Sequence, residues 1–147
     1  MQARFPIATS LLCSALVLSG IAGCSSDNLT QISGKVIFNG QPVPAGKVYI
    51  LPDGAKGNSG PAGFADIKDG VYDTKLAGGQ GAPPGPVIFA VEGIDPVPPP
   101  SAPPDITATV LFPRYEFPGE LTSSTTTKDI EVPAAAAHVA QRPGRGA

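Results

Sequence analysis

The chain has 147 residues, with twelve acidic against ten basic side chains and a formal net charge of −2. Eighteen glycines and eighteen prolines make up about a quarter of it, roughly double average usage, which excludes long helices because proline breaks them and glycine weakens them. No basic patch is present, and phosphate binding needs one, so nucleic acid is excluded as a partner.

The first 23 residues read as a secretory leader. Arg4 and the amino terminus supply the positive end, and residues 7–18 are mostly apolar. That run is too short to span a bilayer, which takes roughly 20 residues. Small residues then precede a cysteine in Ile21-Ala22-Gly23-Cys24, and a polar Ser-Ser-Asp-Asn stretch follows. This is the three-part layout of an export signal. Removing the leader takes away Arg4 and Cys13, and Cys24 is then the sole cysteine. No internal disulfide can form in such a chain.

After the leader, residues 24–30 are a short polar tether. Residues 31–38 then alternate, with Ile32, Val36 and Phe38 on one face of an expected strand. Gly34 interrupts that face and marks a bulge or a close approach. Asn39-Gly40 signals a tight turn, and Pro42 and Pro44 are expected to prevent tight pairing just after it. Residues 46–51 form the second strand, with Val48 and Ile50 facing one way and Tyr49 and Leu51 the other. A loop over 52–60 leads to a strand from Gly63. Asp69-Gly70 turns the chain, and residues 71–76 return it, which makes the best local hairpin.

A glycine-rich loop precedes residues 86–92, whose apolar run fits a central strand buried on both faces. Residues 93–104 are a long, proline-rich excursion, and 106–112 are either strand or extended loop. Residues 124–132 form the last strand, with Thr126, Lys128, Ile130 and Val132 on one face. From 134 to 147 no apolar period remains, which predicts a disordered tail. The spacing of strands and turns predicts one all-β domain over 31–133, an antiparallel sandwich of seven strands.

Two resemblances sharpen this reading. Ile21-Ala22-Gly23-Cys24 closely resembles a bacterial lipobox. The resemblance implies a diacylglycerol on the Cys24 thiol, cleavage between Gly23 and Cys24, and further acylation of the new amino group with palmitate-type chains. A thiolate is a strong nucleophile, which suits the role. Two or more chains hold a protein far better than one. Ser25 follows the cysteine where the best-known retention signal has Asp, so the outer membrane is favoured over the inner.

The domain itself resembles carboxypeptidase regulatory-like domains. Ile32-Ser33-Gly34-Lys35-Val36 and Asn39-Gly40-Gln41-Pro42-Val43-Pro44-Ala45-Gly46 are similar to that family's opening. Residues 63–72 are similar to its hairpin, Pro84-Gly85 to its next strand, and Leu111-Phe112-Pro113-Arg114-Tyr115 to a segment near the end of short lipoproteins of this kind. The resemblance covers most of 32–132 and implies a transthyretin-like sandwich without catalytic residues. The proline-rich 93–104 stretch departs from the pattern.

Chemistry-bearing residues are sparse. His138 is the only histidine, which excludes multi-histidine metal sites and histidine triads. Asp66, Asp69 and Asp73 gather at the hairpin and offer oxygens of the type calcium takes. Their spacing matches no EF-hand loop, and the plain alternative is a turn with solvated ends. Gly78-Gly79-Gln80-Gly81 lacks the Lys-Ser/Thr that phosphate cradling requires. Tyr49, Tyr72 and Tyr115 either form an aromatic patch for sugars or peptides, or serve as core and rim residues.

The expectation is therefore a membrane-anchored envelope lipoprotein displaying a non-catalytic binding or structural module. It has no cofactor, metal or catalytic residue, and its partner is an envelope protein or polysaccharide. The alternative is an accessory subunit of an envelope transport or enzyme complex. The critical positions are Cys24 with its lipobox and the turns Asn39-Gly40 and Asp69-Gly70.

Overall fold

A computed structural model describes residues 28–138. The leader, the lipobox residues Ile21 to Gly23, and Cys24 fall outside the described residues, as do 139–147. Eight strands follow in order: β1 (Ser33–Phe38), β2 (Gln41–Pro42), β3 (Ala45–Pro52), β4 (Gly63–Lys68), β5 (Val71–Asp73), β6 (Gly85–Asp95), β7 (Thr109–Leu121) and β8 (Ile130–Val132). There is no α-helix among the described residues, in keeping with the glycine and proline content.

The strands form one curled sheet in the order β2-β1-β5-β4-β3-β6-β7, with β8 also beside β1. β1 is where the sheet divides. Its first half, Ser33 to Lys35, pairs with β5. Its second half, Val36 to Phe38, lies between β2 and β8. All pairs are antiparallel except β1 with β8, which is parallel. The expectation of a purely antiparallel arrangement is corrected there. Residues 122–129 carry the chain back to the start of β1, so that Lys128 N–H donates to Ser33 O at 2.9 Å and Ser33 N–H to Thr126 O at 3.1 Å. β8 must then run in the same direction as β1.

Alternation builds the core as expected of half-buried strands. Val48 and Ile50 of β3 point inward with Ala65 and Ile67 of β4 and with Val87, Phe89 and Val91 of β6. Val36, Tyr72, Phe112, Leu121, Ile130 and Val132 complete one cluster. Phe89 stacks on Phe117 at 5.2 Å, and Phe38 tilts against Phe112 at 4.8 Å. Ala90, on the opposite side of β6, is also fully buried, as expected for a central strand.

Both Asx-Gly dipeptides form two-residue turns with left-handed backbone at each position. Asn39 and Gly40 have φ of 50° and 75°, and Asp69 and Gly70 have 50° and 76°. These are the type I′ values that match strand twist. Pairing after the turn, expected not to be tight because of Pro42 and Pro44, is confined to the two residues of β2, where Pro42 sits opposite Ile37. The two turns differ in surroundings. A Cβ on Gly70 would lie 2.5 Å from Pro42 Cβ, whereas one on Gly40 meets nothing within 4 Å. Gly70→Val should therefore cost about 1–3 kcal/mol from backbone strain and more from the clash, and Gly40→Val the strain alone. Urea melts of the two variants check this; equal destabilisation would contradict it.

Three other expectations change. The returning hairpin strand ends at Asp73 rather than Leu76, because the Asp73 carboxylate accepts the Lys75 N–H at 2.8 Å and turns the chain. β7 runs 13 residues and reaches Leu121, well past the expected end at 112. Its two prolines are tolerated because Pro113 falls at the register shift opposite Val91–Gly93 and Pro118 lies on a strand that pairs only with β6. The predicted tail begins instead as a short 3₁₀ helix, Ala134–His138, in which Ala136 is 3% exposed and joins the core.

Candidate functional site

The outward face of β4, β3, β6 and β7 carries the densest set of interacting polar side chains. Strand pairing aligns Asp66, Lys47 and Glu92 in one row. The Lys47 ammonium meets Asp66 Oδ1 at 3.1 Å, Arg114 Nη1 meets Glu92 Oε1 at 3.5 Å, and Arg114 Nε donates to Glu116 Oε1 at 2.7 Å. The signs alternate across four strands. Lys47 holds its proton more tightly because of the hydrogen bond to Asp66 and then that carboxylate's charge. Arg114 is held in the same way by its hydrogen bond to Glu116.

Two rings lie beneath these cations. Tyr49 sits opposite Phe64 across β3 and β4. Arg114 lies over the Tyr49 ring at 5.2 Å and Lys47 over the Phe64 ring at 5.8 Å, within cation–π range. The long stems thereby cover apolar surface while their charged ends stay wet. Exposed pairs of this kind contribute little to stability. The face is a pre-ordered polar surface over a shallow aromatic layer, able to make hydrogen bonds and ionic contacts.

The residues singled out by sequence are dispersed. Tyr72 is a core residue whose hydroxyl donates to Lys128 O at 2.7 Å. Tyr49 faces outward, and Tyr115 lies on the inner side beside Phe117 at 5.7 Å. They form no shared patch, because strand parity sends them to different faces. Asp66 pairs with Lys47, Asp73 caps the turn at Lys75, and Asp69 sits in its turn. Among the described residues no three His, Cys, Asp or Glu converge as metal ligands. The glycines at 79 and 81 admit close backbone: a Cβ at Gly79 would meet Thr74 O at 2.7 Å, and one at Gly81 Thr30 O at 2.5 Å. Lys47, Glu92, Arg114 and Glu116 were not foreseen. The alternation of Arg114 and Glu116 with Tyr115 and Phe117 was the available signal, masked by the flanking prolines.

The buried polar residues all serve the fold. Thr74 Oγ1 accepts from Ile32 N and donates to Gln31 Oε1 at 2.8 Å. Asp53 accepts from Ala55 N at 3.1 Å. Thr30 N–H donates to Ala82 O at 2.8 Å, and its hydroxyl donates to Thr122 O at 3.3 Å.

Tyr72 makes the fold pH-sensitive. Burial, with the Asp129 charge second, pushes its hydroxyl pKa well above the usual tyrosine value. The protonated form is favoured by folding, so this stabilisation is complete below the unfolded pKa of about 10 and is lost as pH rises beyond it. Tyr72 should ionise only together with unfolding, followed by tyrosinate absorbance alongside circular dichroism. Tyr72→Phe should cost on the order of 1–2 kcal/mol by leaving the Lys128 carbonyl without its donor. Reversible ionisation of Tyr72 in a folded chain would contradict this account.

Among the described residues, four of the five exposed large apolar residues, Val71, Val97, Ile106 and Val110, lie toward one end of the sheet, whereas Leu76 follows β5 toward the other. Lys35, Val71, Lys68, Ala45, Ile94 and Val110 follow one another across six strands. Val110 is 66% exposed, and Val97 (72%) and Ile106 (42%) project from the β6–β7 connection beyond it. The chain enters near the other end, where Thr30 bridges Ala82 and contacts Thr122.

No family model matches the chain, and no curated protein matches it. Among solved structures, a 9R-lipoxygenase from Cyanothece PCC8801 is similar over 81% of this chain at 16% identity, with a TM-score of 0.35. The chain spans 18% of that enzyme's length, and a likeness of that size carries no argument about activity.

Proposed function

We propose that this protein is a lipid-anchored cell-envelope lipoprotein whose non-catalytic β-sandwich presents a binding or structural surface to an envelope protein or polysaccharide. The sandwich reading, transthyretin-like as in carboxypeptidase regulatory-like domains, is supported by β1. Its two halves pair with different strands, yet the residues from both sides share one core.

The observation that carries the functional reading is the polarity of the domain. Three residues, Ser25-Ser26-Asp27, separate Cys24 from Asn28, a reach of at most about 14 Å between their Cα atoms. An anchor on Cys24 keeps the Thr30–Ala82 end next to the lipid. β6, with 11 residues, then carries the β6–β7 connection roughly 35 Å outward. The proline-rich stretch and the exposed Val97, Ile106 and Val110 become the outermost surface, and the charged face stands upright beside it. The outer membrane is the proposed location, from Ser25.

Mass spectrometry of detergent-extracted protein should find an amino-terminal peptide that starts at Cys24 and carries acyl mass. Cys24→Ala should abolish that species and leave the chain uncleaved or released in soluble form. Recovery of wild-type protein with an unmodified cysteine and an intact leader would reject the proposal.

A further inference from the structure

We propose that Asn39 is a site of spontaneous covalent modification, through a succinimide formed with Gly40, and that the matching turn at Asp69-Gly70 is protected from the same chemistry. An Asx-Gly pair is the dipeptide most open to this reaction, because glycine has no side chain to block its own nitrogen. The Gly40 backbone nitrogen attacks Asn39 Cγ. A Cγ–N bond forms, the Cγ–Nδ2 bond breaks, and the side-chain nitrogen leaves as ammonia with the proton of the Gly40 amide. Water then opens the ring at either carbonyl, leaving an aspartyl or an isoaspartyl residue. At Asp69 the corresponding ring closure expels water.

The side chains already differ, since a carboxyl group cyclises less readily than a carboxamide, but the backbone angles of the two turns are almost the same: 50° and 75° against 50° and 76°. Their surroundings separate them. The Gly70 N–H donates to Val43 O at 2.8 Å, and the Asp69 N–H to Pro44 O at 2.9 Å. Gly70 is buried, with Pro42 against the position of its missing Cβ. Its nitrogen is therefore occupied and the turn cannot rotate without disturbing the β2–β3 connection. Asn39 and Gly40 are both exposed. Among the described residues no hydrogen bond engages the Gly40 nitrogen, and the space around the glycine is open to 4 Å. The turn closes a β2 of only two residues, so little pairing opposes the local opening that brings nitrogen and carboxamide together.

The product has structural consequences. An isoaspartyl residue lengthens the backbone within a turn that sets Phe38 opposite Gln41 and Ile37 opposite Pro42. Val43, just beyond, is fully buried and receives the Gly70 N–H. Modification at the open turn would therefore loosen the protected one.

The full chain, extracted in detergent and kept folded, is incubated in mildly alkaline buffer. It is then digested, mapped by mass spectrometry and probed with an isoaspartyl methyltransferase. The peptide holding Asn39 should gain the amide-to-acid mass and accept methyl label, and Asn39→Gln should lose both signals. In a parallel incubation in mildly acidic buffer, where aspartyl cyclisation is fastest, the peptide holding Asp69 should stay unlabelled in the folded chain and become labelled once urea unfolds it. The proposal is overturned if Asn39 is modified no faster than Asn58, which is half-buried and whose side-chain N–H donates to Pro86 O at 2.8 Å. It is equally overturned if Asp69 is labelled as readily folded as unfolded. Neither result depends on whether Cys24 carries lipid.

Discussion

Phe89→Ala should lower the unfolding free energy by about 3–5 kcal/mol, among the largest losses available from a single side chain of this protein. Phe89 is fully buried in the middle of β6 and stacks on Phe117 across the β6–β7 pair. The site is shaped around the ring. Gly119 lies opposite Val87, and a Cβ there would come within 2.6 Å of Phe89 Cε2. No neighbour can move in to fill the void, because Val87 and Val91 on the same strand are held by their own ladders on both sides. The cavity contribution should then be close to its full size. Domains of this size are stable by roughly 5–15 kcal/mol, so about a fifth or more of the margin is at stake. Urea unfolding followed by tyrosine fluorescence reads it, since the chain has three tyrosines and no tryptophan. Leu76→Ala is the comparator. Leu76 is 65% exposed and should change stability by no more than about 0.5 kcal/mol. Similar losses for the two variants would mean that the inward face of β6 is wrongly assigned.

The second large effect is expected from adding one carbon. Gly34→Ala should destabilise by about 3 kcal/mol or more, at the upper end of what overpacking costs. A Cβ at this position would overlap the Lys128 carbonyl and press on Tyr72 Cε1 at 3.1 Å. That same carbonyl accepts the Tyr72 hydroxyl. The methyl group would thus push apart three segments at once: β1, β5, and the stretch leading into β8. Relief requires backbone movement, not the rotation of a flexible side chain. Gly54→Ala tests whether space or glycine itself is decisive, because nothing lies within 4 Å of its missing Cβ; its change should stay within about 0.5 kcal/mol. If Gly34→Ala melts with Gly54→Ala, residue 128 does not pack on β1.

Much of the architecture was legible because it is local. Val48 and Ile50 alternate with Lys47 and Tyr49 within one strand, and period-two alternation assigns faces without knowledge of any partner. Asn39-Gly40 and Asp69-Gly70 announce their turns because only a few residue types accept left-handed backbone at both central positions. Gly34 was flagged as a point of close approach, and Lys128 is what approaches. The failures share the opposite character. Pro113 and Pro118 broke the apparent strand pattern, yet β7 continues through both, since a bulge and an open edge remove the need for their N–H groups. The candidate face was hidden for the same reason. Its row Asp66, Lys47, Glu92 and Arg114 comes from four strands distant in sequence, and only register brings them together.

The sequence by itself determined the all-β class, the parity of the central strands and both Asx-Gly turns, because each depends on residues within one short window. Tertiary structure alone decided the parallel pairing of β8 with β1, the dispersal of Tyr49, Tyr72 and Tyr115, the capture of Ala136 by the core, and the difference between the open Asn39-Gly40 turn and the locked Asp69-Gly70 turn. The physical reason is that hydrogen-bond partners and excluded volume come from residues tens of positions away, and no local pattern records which of them arrives.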